Sequence, residues 1–411
     1  MKGGPMKSTH YLTAAEVAEA LKVSPTTVYA YVSRGLLRSE PAGANNRARL
    51  YNAEDVQKLV ERKTYRRDPA KATSDAMHWG MPILSSELTL IDETGIYYRG
   101  YDVTQLATSW SFERVAALLW TGEPDKETSI FSPNQSAKSY HEQLKQITYE
   151  LTPLQKLQIV LTLAAADDLA AYDLDPQLNN ILRSGARILR LVAATLADSY
   201  DLGLTSIEIL RQGWGQQNLP HFPSLLNAAL ILSADHELNT SAFTARVVAS
   251  AATPLYQVII AGLAALQGFK HGGNTLLVEE LLYEVSSPER AYQAVASRLQ
   301  RGGHIPGFGH QLYPSGDPRG ALLLRLIAQA YATTPSVQHA NAIVQTVEQT
   351  IHKKPNLDFS LALLARVLQL PRGSALAIFA LGRTVGWIAH AIEQYKTGQL
   401  IRPRATYTGP R

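Results

Sequence analysis

The chain has 411 residues and no cysteine. That excludes disulfides, thiol nucleophiles and thiolate-bound metals. Charged residues are sparse at 18%, and no internal repeat or low-complexity tract is present. No apolar signal-peptide core stands near the start, so a cytoplasmic protein is expected, with no membrane partner. Long uncharged runs are also few. One of them, residues 247–269, is long enough to span a bilayer. It carries Ser250, Thr253, Pro254, Gln257 and Gln267 among its alanines, so a buried pair of helices broken near Pro254 is expected instead. What is plentiful is hydrophobic material, 45% of the chain. It suffices for a large core in two or three domains.

The charge is uneven. Residues 1–72 hold 13 Lys/Arg against 7 Asp/Glu, a surplus of +6, while the whole chain carries +4, so the remainder sums to −2. A basic end on a slightly acidic body points to an anionic partner for that end alone.

The basic end reads as two short helices. Thr13-Ala14-Ala15-Glu16 has the form of a capping box. Val17, Ala20 and Leu21 follow at helical spacing, and Lys22-Val23 make a tight turn. Ser24 and Pro25 then open a second helix that Gly35 ends. A basic hairpin follows, through Gly43, Asn45 and Asn46 to Arg47-Ala48-Arg49-Leu50-Tyr51, and a third helix opens near Asn52. This segment resembles the MerR-type or excisionase-type winged helix-turn-helix. The resemblance implies a DNA-binding domain over residues 8–65. In it Thr26, Thr27, Tyr29 and Arg34 would present to the major groove, and Arg47 and Arg49 would meet phosphate. A plain protein-contact role for the same small domain is the simpler alternative. Residues 66–75, in a charged run with Asp68-Pro69, read as a linker.

From residue 76 onward the chain is mainly α. Residues 87–92 and 95–102 read as two short strands around an Asp-Glu-Thr-Gly turn. Ser111 opens a helix, and alanine- and leucine-rich helical runs fill the rest. Polar groups interrupt those runs at five places. They are Asp235-His236-Glu237, Lys270-His271-Gly272-Gly273-Asn274, Gly307-Phe308-Gly309-His310 leading to Asp317-Pro318-Arg319, Asn356-Leu357-Asp358, and Arg383 with Arg402 and Arg404 behind it. Gly307 and Gly309 deliver His310 into a loop, and Asp-Pro ends that loop before an apolar helix expected over residues 321–332. Taken singly, each polar group has an ordinary structural explanation, as a cap, a turn or a buried ion pair.

Taken in this order, the five sites resemble the citrate synthase family over some 320 residues, as does the start "Ile-Tyr-Tyr-Arg-Gly-Tyr-Asp" at Ile96. The resemblance implies an all-α body. A large domain would cover about 76–270 and 366–411, a small domain about 275–365, and the site would lie between them in a homodimer. It implies that oxaloacetate and acetyl-CoA or propionyl-CoA give citrate or 2-methylcitrate. The coenzyme A thioester is then a substrate, and neither cofactor nor metal is called for. Asp358 would take the α-proton, with its basicity raised by apolar neighbours such as Leu357 and Phe359. His271 would hydrogen-bond the thioester oxygen, and His310 would polarise the ketone. His236, Arg319, Arg383 and Arg402 would hold the dicarboxylate, with Arg404 as second choice to Arg402.

Some residues depart from the family pattern. Lys270 stands where a small apolar residue is usual, and Asn274 where alanine is. Gln311, Pro314 and Ser315 replace residues that are commonly basic near the coenzyme phosphates, which thins the expected phosphate contacts and leaves Lys270 and Arg301 as the candidates to compensate. A second function remains open on sequence alone: a DNA-binding regulator whose body senses a metabolite.

Overall fold

The structure, a computed structural model, describes residues 11–41, 49–53, 55, 56, 59, 84–132, 140–147, 149–175, 179–199, 201–405 and 407–410. The chain divides into two compact units, Met1–Ser85 and Ser86–Arg411.

In the first unit, β1 (Tyr11–Thr13) leads into α1 (Ala14–Leu21), with Thr13 and Glu16 forming the capping box. Lys22 takes a left-handed conformation, φ +50°, and turns the chain into α2 (Pro25–Ser33), which Ser24 caps. Two strands follow, β2 (Ser39–Pro41) and β3 (Arg49–Asn52). The expected wing is therefore one strand larger than the sequence suggested: β3 pairs antiparallel with β2 on one side and β1 on the other. A three-residue strand carries too weak an alternation to be read from sequence. Val17, Leu21, Val28, Leu37, Tyr51 and Val56 form this unit's own core.

In the second unit, β4 (Thr89–Ile91), β5 (Ile96–Tyr98) and β6 (Tyr101–Asp102) make a small antiparallel sheet. Asp92 closes the β4–β5 turn by accepting from the Thr94 and Gly95 amides at 2.7 and 3.2 Å. The rest of the described unit is helical, around one continuous apolar core. The uncharged stretch becomes the helices Thr240–Ser250 and Leu255–Leu266, parted before Pro254 as expected.

The central element is the helix Ser374–Thr397. By length and composition it could cross a membrane, yet its apolar window is entirely buried in the fold. Two glycines let it press on its neighbours. A Cβ at Gly382 would stand 2.7 Å from the Leu230 carbonyl, and one at Gly386 2.3 Å from the Ala234 carbonyl. Any larger residue would push the helix away from Phe222–Ser233, whose end carries the first polar break.

Candidate active site

Two of the polar breaks, at Asp317 and Asn356, are built by helix caps, and together the breaks meet around one site. Asp235 is buried and held from three directions. Thr89 of β4 donates to it at 2.5 Å, His390 lies 3.1 Å from its other oxygen, and Tyr98 of β5 receives its backbone N–H at 3.0 Å. The small sheet thereby fixes the turn that presents His236. His236 in turn is buried, with its Nε2 2.9 Å from the Tyr313 hydroxyl.

The third and fourth breaks are joined by a short antiparallel bridge. The Gly309 amide donates to the Lys354 carbonyl at 2.8 Å, the Asn356 amide donates to the Gly307 carbonyl at 2.9 Å, and Phe308 pairs with Pro355. Gly307 has φ +81°, and a Cβ there would strike Val278 at 2.9 Å, so only glycine fits. The loop carrying His310 and the start of the helix Leu357–Val367 are thus one rigid piece. Asn356 caps that helix, accepting from the Asp358 and Phe359 amides at 3.1 and 3.4 Å. Asp358 is therefore inside the first turn and is not the cap, which leaves its carboxylate for other work.

The apolar helix behind the loop begins at Pro318, three residues earlier than expected, as Pro318–Tyr331. Asp317 caps it, and proline fits its first position without losing a bond. Arg319 consequently sits in the helix rather than in the loop. It is clamped by Asp317 through Nε at 3.0 Å and Nη2 at 2.9 Å, and the pair is buried. Arg383, also buried, donates from Nε to the Ser233 carbonyl at 2.8 Å and stacks on Phe379.

Six of the seven proposed substrate and catalytic residues come together. The His236 and His310 rings stand 5.2 Å apart, Tyr313 packs on both, and Phe379 lies between His271 and Arg383. The seventh, Arg402, makes no contact with this cluster among the described residues. It is exposed in the segment after the last helix, where the Ile401 amide is bound to Ser250, and it makes no hydrogen bond or ion pair among the described residues.

The electrostatics follow from burial beside two guanidinium groups. Burial, reinforced by Arg383, pushes His271 down to about 3. Burial and then Arg319 push His310 down to about 4, and His236 is lowered for the same reasons. The histidines are therefore neutral at ordinary pH. The Leu312 amide donates to His310 Nδ1 at 3.1 Å, so the neutral ring carries its proton on Nε2. His271 Nε2 lies 2.8 Å from the Ser241 hydroxyl, which also reaches Asn239 at 2.9 Å. Burial raises the Asp358 carboxyl to about 6, against the pull of a hydrogen bond from Asn274. Burial lowers Arg383 to about 10. Burial alone would lower Arg319 too, but Asp317 outweighs it and holds the guanidinium charged. The site thus offers two buried cations, neutral hydrogen-bond donors and one carboxylate of raised basicity. That combination suits a dianionic substrate and proton abstraction from carbon.

The chain matches the citrate synthase C-terminal domain family over residues 76–404. It belongs to the citrate synthase family. It is 33% identical to citrate synthase 2 of Bacillus subtilis over 79% of this chain and 93% of that protein. It is 30% identical to the 2-methylcitrate synthase of Mycobacterium tuberculosis, over 76% and 84%. The citrate synthase of Thermotoga maritima superposes with a TM-score of 0.69 at 27% identity, covering 80% of this chain and 94% of that one. Residues 11–64 match a helix-turn-helix domain family. As in its citrate synthase relatives, the body reads as an enzyme.

Sequence reasoning missed several supporting groups. Tyr313 and Asp317 lie inside the quoted loop but have no signal of their own until their partners are known. Ser241 was legible only as part of an Asn-Thr-Ser helix start. Lys353 and Lys354 precede the Asp358 motif, and their side chains run over the loop: a Cβ at Gly309 would come 3.2 Å from Lys353 Cδ, and one at Gly316 2.9 Å from Lys354 Cδ. Of the residues expected to compensate, Lys270 and Arg301 are both exposed, and Arg301 Nε donates to the Ser297 carbonyl at 3.1 Å.

Of the proposed nucleic-acid contacts, Thr26, Tyr29 and Arg34 are exposed on or just after α2. Thr27 is half-buried and bonds the Ser24 cap at 2.9 Å. Arg49 is tied to Ser39 at 2.9 and 3.1 Å. Arg47 lies outside the described residues.

Proposed function

We propose that the chain condenses a short acyl-coenzyme A, acetyl or propionyl, with oxaloacetate to give citrate or 2-methylcitrate. Asp358 removes the α-proton of the thioester, whose carbon is a very weak acid, so the developing enolate needs a partner. His271 supplies it by hydrogen-bonding the thioester oxygen. His310, with its proton on Nε2, polarises the ketone of oxaloacetate, and the new carbon–carbon bond forms between the two. Hydrolysis of the resulting thioester releases coenzyme A and makes the sequence irreversible. His236, Arg319 and Arg383 hold the dicarboxylate. The observation that carries this reading is the meeting of a half-buried carboxylate raised to about 6 with neutral histidines and two buried guanidinium groups. Asp358→Ala tests it: turnover should vanish while oxaloacetate binding by calorimetry stays within a few-fold. Near-normal turnover would remove Asp358 as the base.

Three finer points belong to the same proposal. A large domain of about 76–270 with 366–411 and a small one of about 275–365 close on substrate and exclude water. Lys353 and Lys354 provide the phosphate contacts that Gln311, Pro314 and Ser315 do not. The protein is a homodimer, and its exposed tail brings Arg402 to the dicarboxylate of the other copy, which would explain its exposure within one chain.

A second activity is supported by the first unit. Its α2 presents Thr26, Tyr29 and Arg34 outward in a segment of positive charge, and we infer that this face meets DNA. Retention on duplex DNA at low salt, lost steeply as salt rises, is the expected result. No retention at low salt would leave the unit as a protein-contact module.

A further inference from the structure

Alanine is the residue expected after the paired glycines of the His271 turn, and this chain has asparagine. We propose that Asn274 is a positioning residue for Asp358, clamping carboxylate oxygen Oδ2 through its side-chain N–H and leaving Oδ1 as the proton-accepting atom. The proposal rests on the reading of Asp358 as the base.

The geometry is specific. Asn274 opens the helix Asn274–Glu284, directly after the turn that carries His271. Its backbone amide donates to the His271 carbonyl at 3.0 Å, so its start point is fixed to that histidine. Its side chain crosses to the helix Leu357–Val367, 84 positions away in sequence, and Nδ2 donates to Asp358 Oδ2 at 2.7 Å. That is the length of a strong, charge-assisted hydrogen bond. Asp358 does not need this contact for its own helix, because Asn356 already satisfies the amides of the first turn. The contact therefore ties the base on one helix to the turn bearing the thioester-facing histidine. It sets the separation of the two groups that must act on the same acyl carbon and oxygen.

The chemistry follows from what an amide nitrogen is. Nδ2 has donors only, so a proton placed on Oδ2 would face another proton, whereas Oδ1 carries no such conflict. The bond also favours the charged carboxylate and so opposes the burial that raises it. Three charged groups also act on Asp358. Arg319 and Arg383 favour the carboxylate, and Asp317 disfavours it. Asn274 is the uncharged member of this set, so removing it leaves the net charge of the site unchanged.

The test is a direct titration. Full-length protein labelled with 13C at the aspartate carboxyl is followed by NMR against pH, with Asp358→Asn assigning the signal, in wild type, Asn274→Ala and Asn274→Asp. Alanine suits a helix start and should leave the fold intact. The expected result is a rise of about one pH unit in the Asp358 midpoint for Asn274→Ala, with a larger rise for Asn274→Asp. The acid limb of kcat/KM for thiol release should move by the same amount, with the oxaloacetate KM little changed. An Asp358 midpoint that stays put in Asn274→Ala overturns the proposal. The NMR arm needs no turnover, so a wild-type protein that releases no thiol would strike the proposed function and leave this result standing on its own.

Discussion

Replacing Asp358 by asparagine should stabilise the protein, by an amount that depends on pH. The folded protein raises this carboxyl from 3.8 to about 6. It therefore holds the proton to a higher pH than the unfolded chain does. Wild-type stability falls as pH rises through that window, and the cost is complete above it. Two-odd pH units correspond to about 3 kcal/mol at pH 7.5 and about 1 kcal/mol at pH 4.5. Asparagine carries no charge to desolvate. It can still turn its side-chain oxygen toward Asn274 Nδ2, so the existing hydrogen bond survives. For the unit Ser86–Arg411, an unfolding entropy of about 2.1 cal/mol/K per residue converts these figures to a Tm gain of about 4 °C at pH 7.5 and about 1.5 °C at pH 4.5. Differential scanning calorimetry of both proteins at the two pH values measures this. An equal gain at both, or a loss at pH 7.5, would refute the claim that a half-buried, costly carboxylate is kept for chemistry.

Four further outcomes are expected. The kcat/KM profile of the wild type should lose activity as pH falls through about 6, because the base must be ionised; a flat profile from pH 5 to 8 would contradict it. Arg319→Lys keeps a charge for Asp317 but loses the planar fork, so the oxaloacetate KM should rise roughly 30-fold with kcat less affected; an unchanged KM would break the assignment. Arg402→Leu and Asp358→Ala homodimers should each be inactive, and mixing with full subunit exchange should restore about a quarter of wild-type activity, because about half of the dimers are then hybrids with one intact site of two. No recovery would confine Arg402 to its own chain's site or remove it from the site. Replacing Lys353 and Lys354 together by alanine should raise the thioester KM about tenfold or more and leave that of oxaloacetate alone; equal changes in both would argue for a general loss of structure.

The sequence was most legible where a residue's role is local. Capping at Thr13, Ser24 and Ser111 needs only neighbours within one turn, and the structure has all three. The break near Pro254 and the turn at Asp92 are of the same kind. The candidate residues His236, His271, His310, Asp358, Arg319 and Arg383 each interrupt an apolar helical run, but it was the family resemblance of the ordered set that named them, since each alone has an ordinary structural explanation. What could not be read were pairings between distant positions. Nothing near Asn274 announces that it meets Asp358, or near His236 that Tyr313 will face it. The start of Pro318–Tyr331 was placed late because Asp317 was read as ending a loop, when its carboxylate also caps a helix. Arg402 is exposed in one chain, and its place in a site of two copies could not be read from the spacing of one sequence.

The most direct test of the central claim is thiol release by the purified protein, measured with acetyl-CoA and with propionyl-CoA, each with and without oxaloacetate. The account predicts rapid, oxaloacetate-dependent release with at least one of them, and the faster thioester names the substrate. Absence of release with both, from folded protein that still binds oxaloacetate, would contradict it. The body would then be a metabolite sensor for the helix-turn-helix unit.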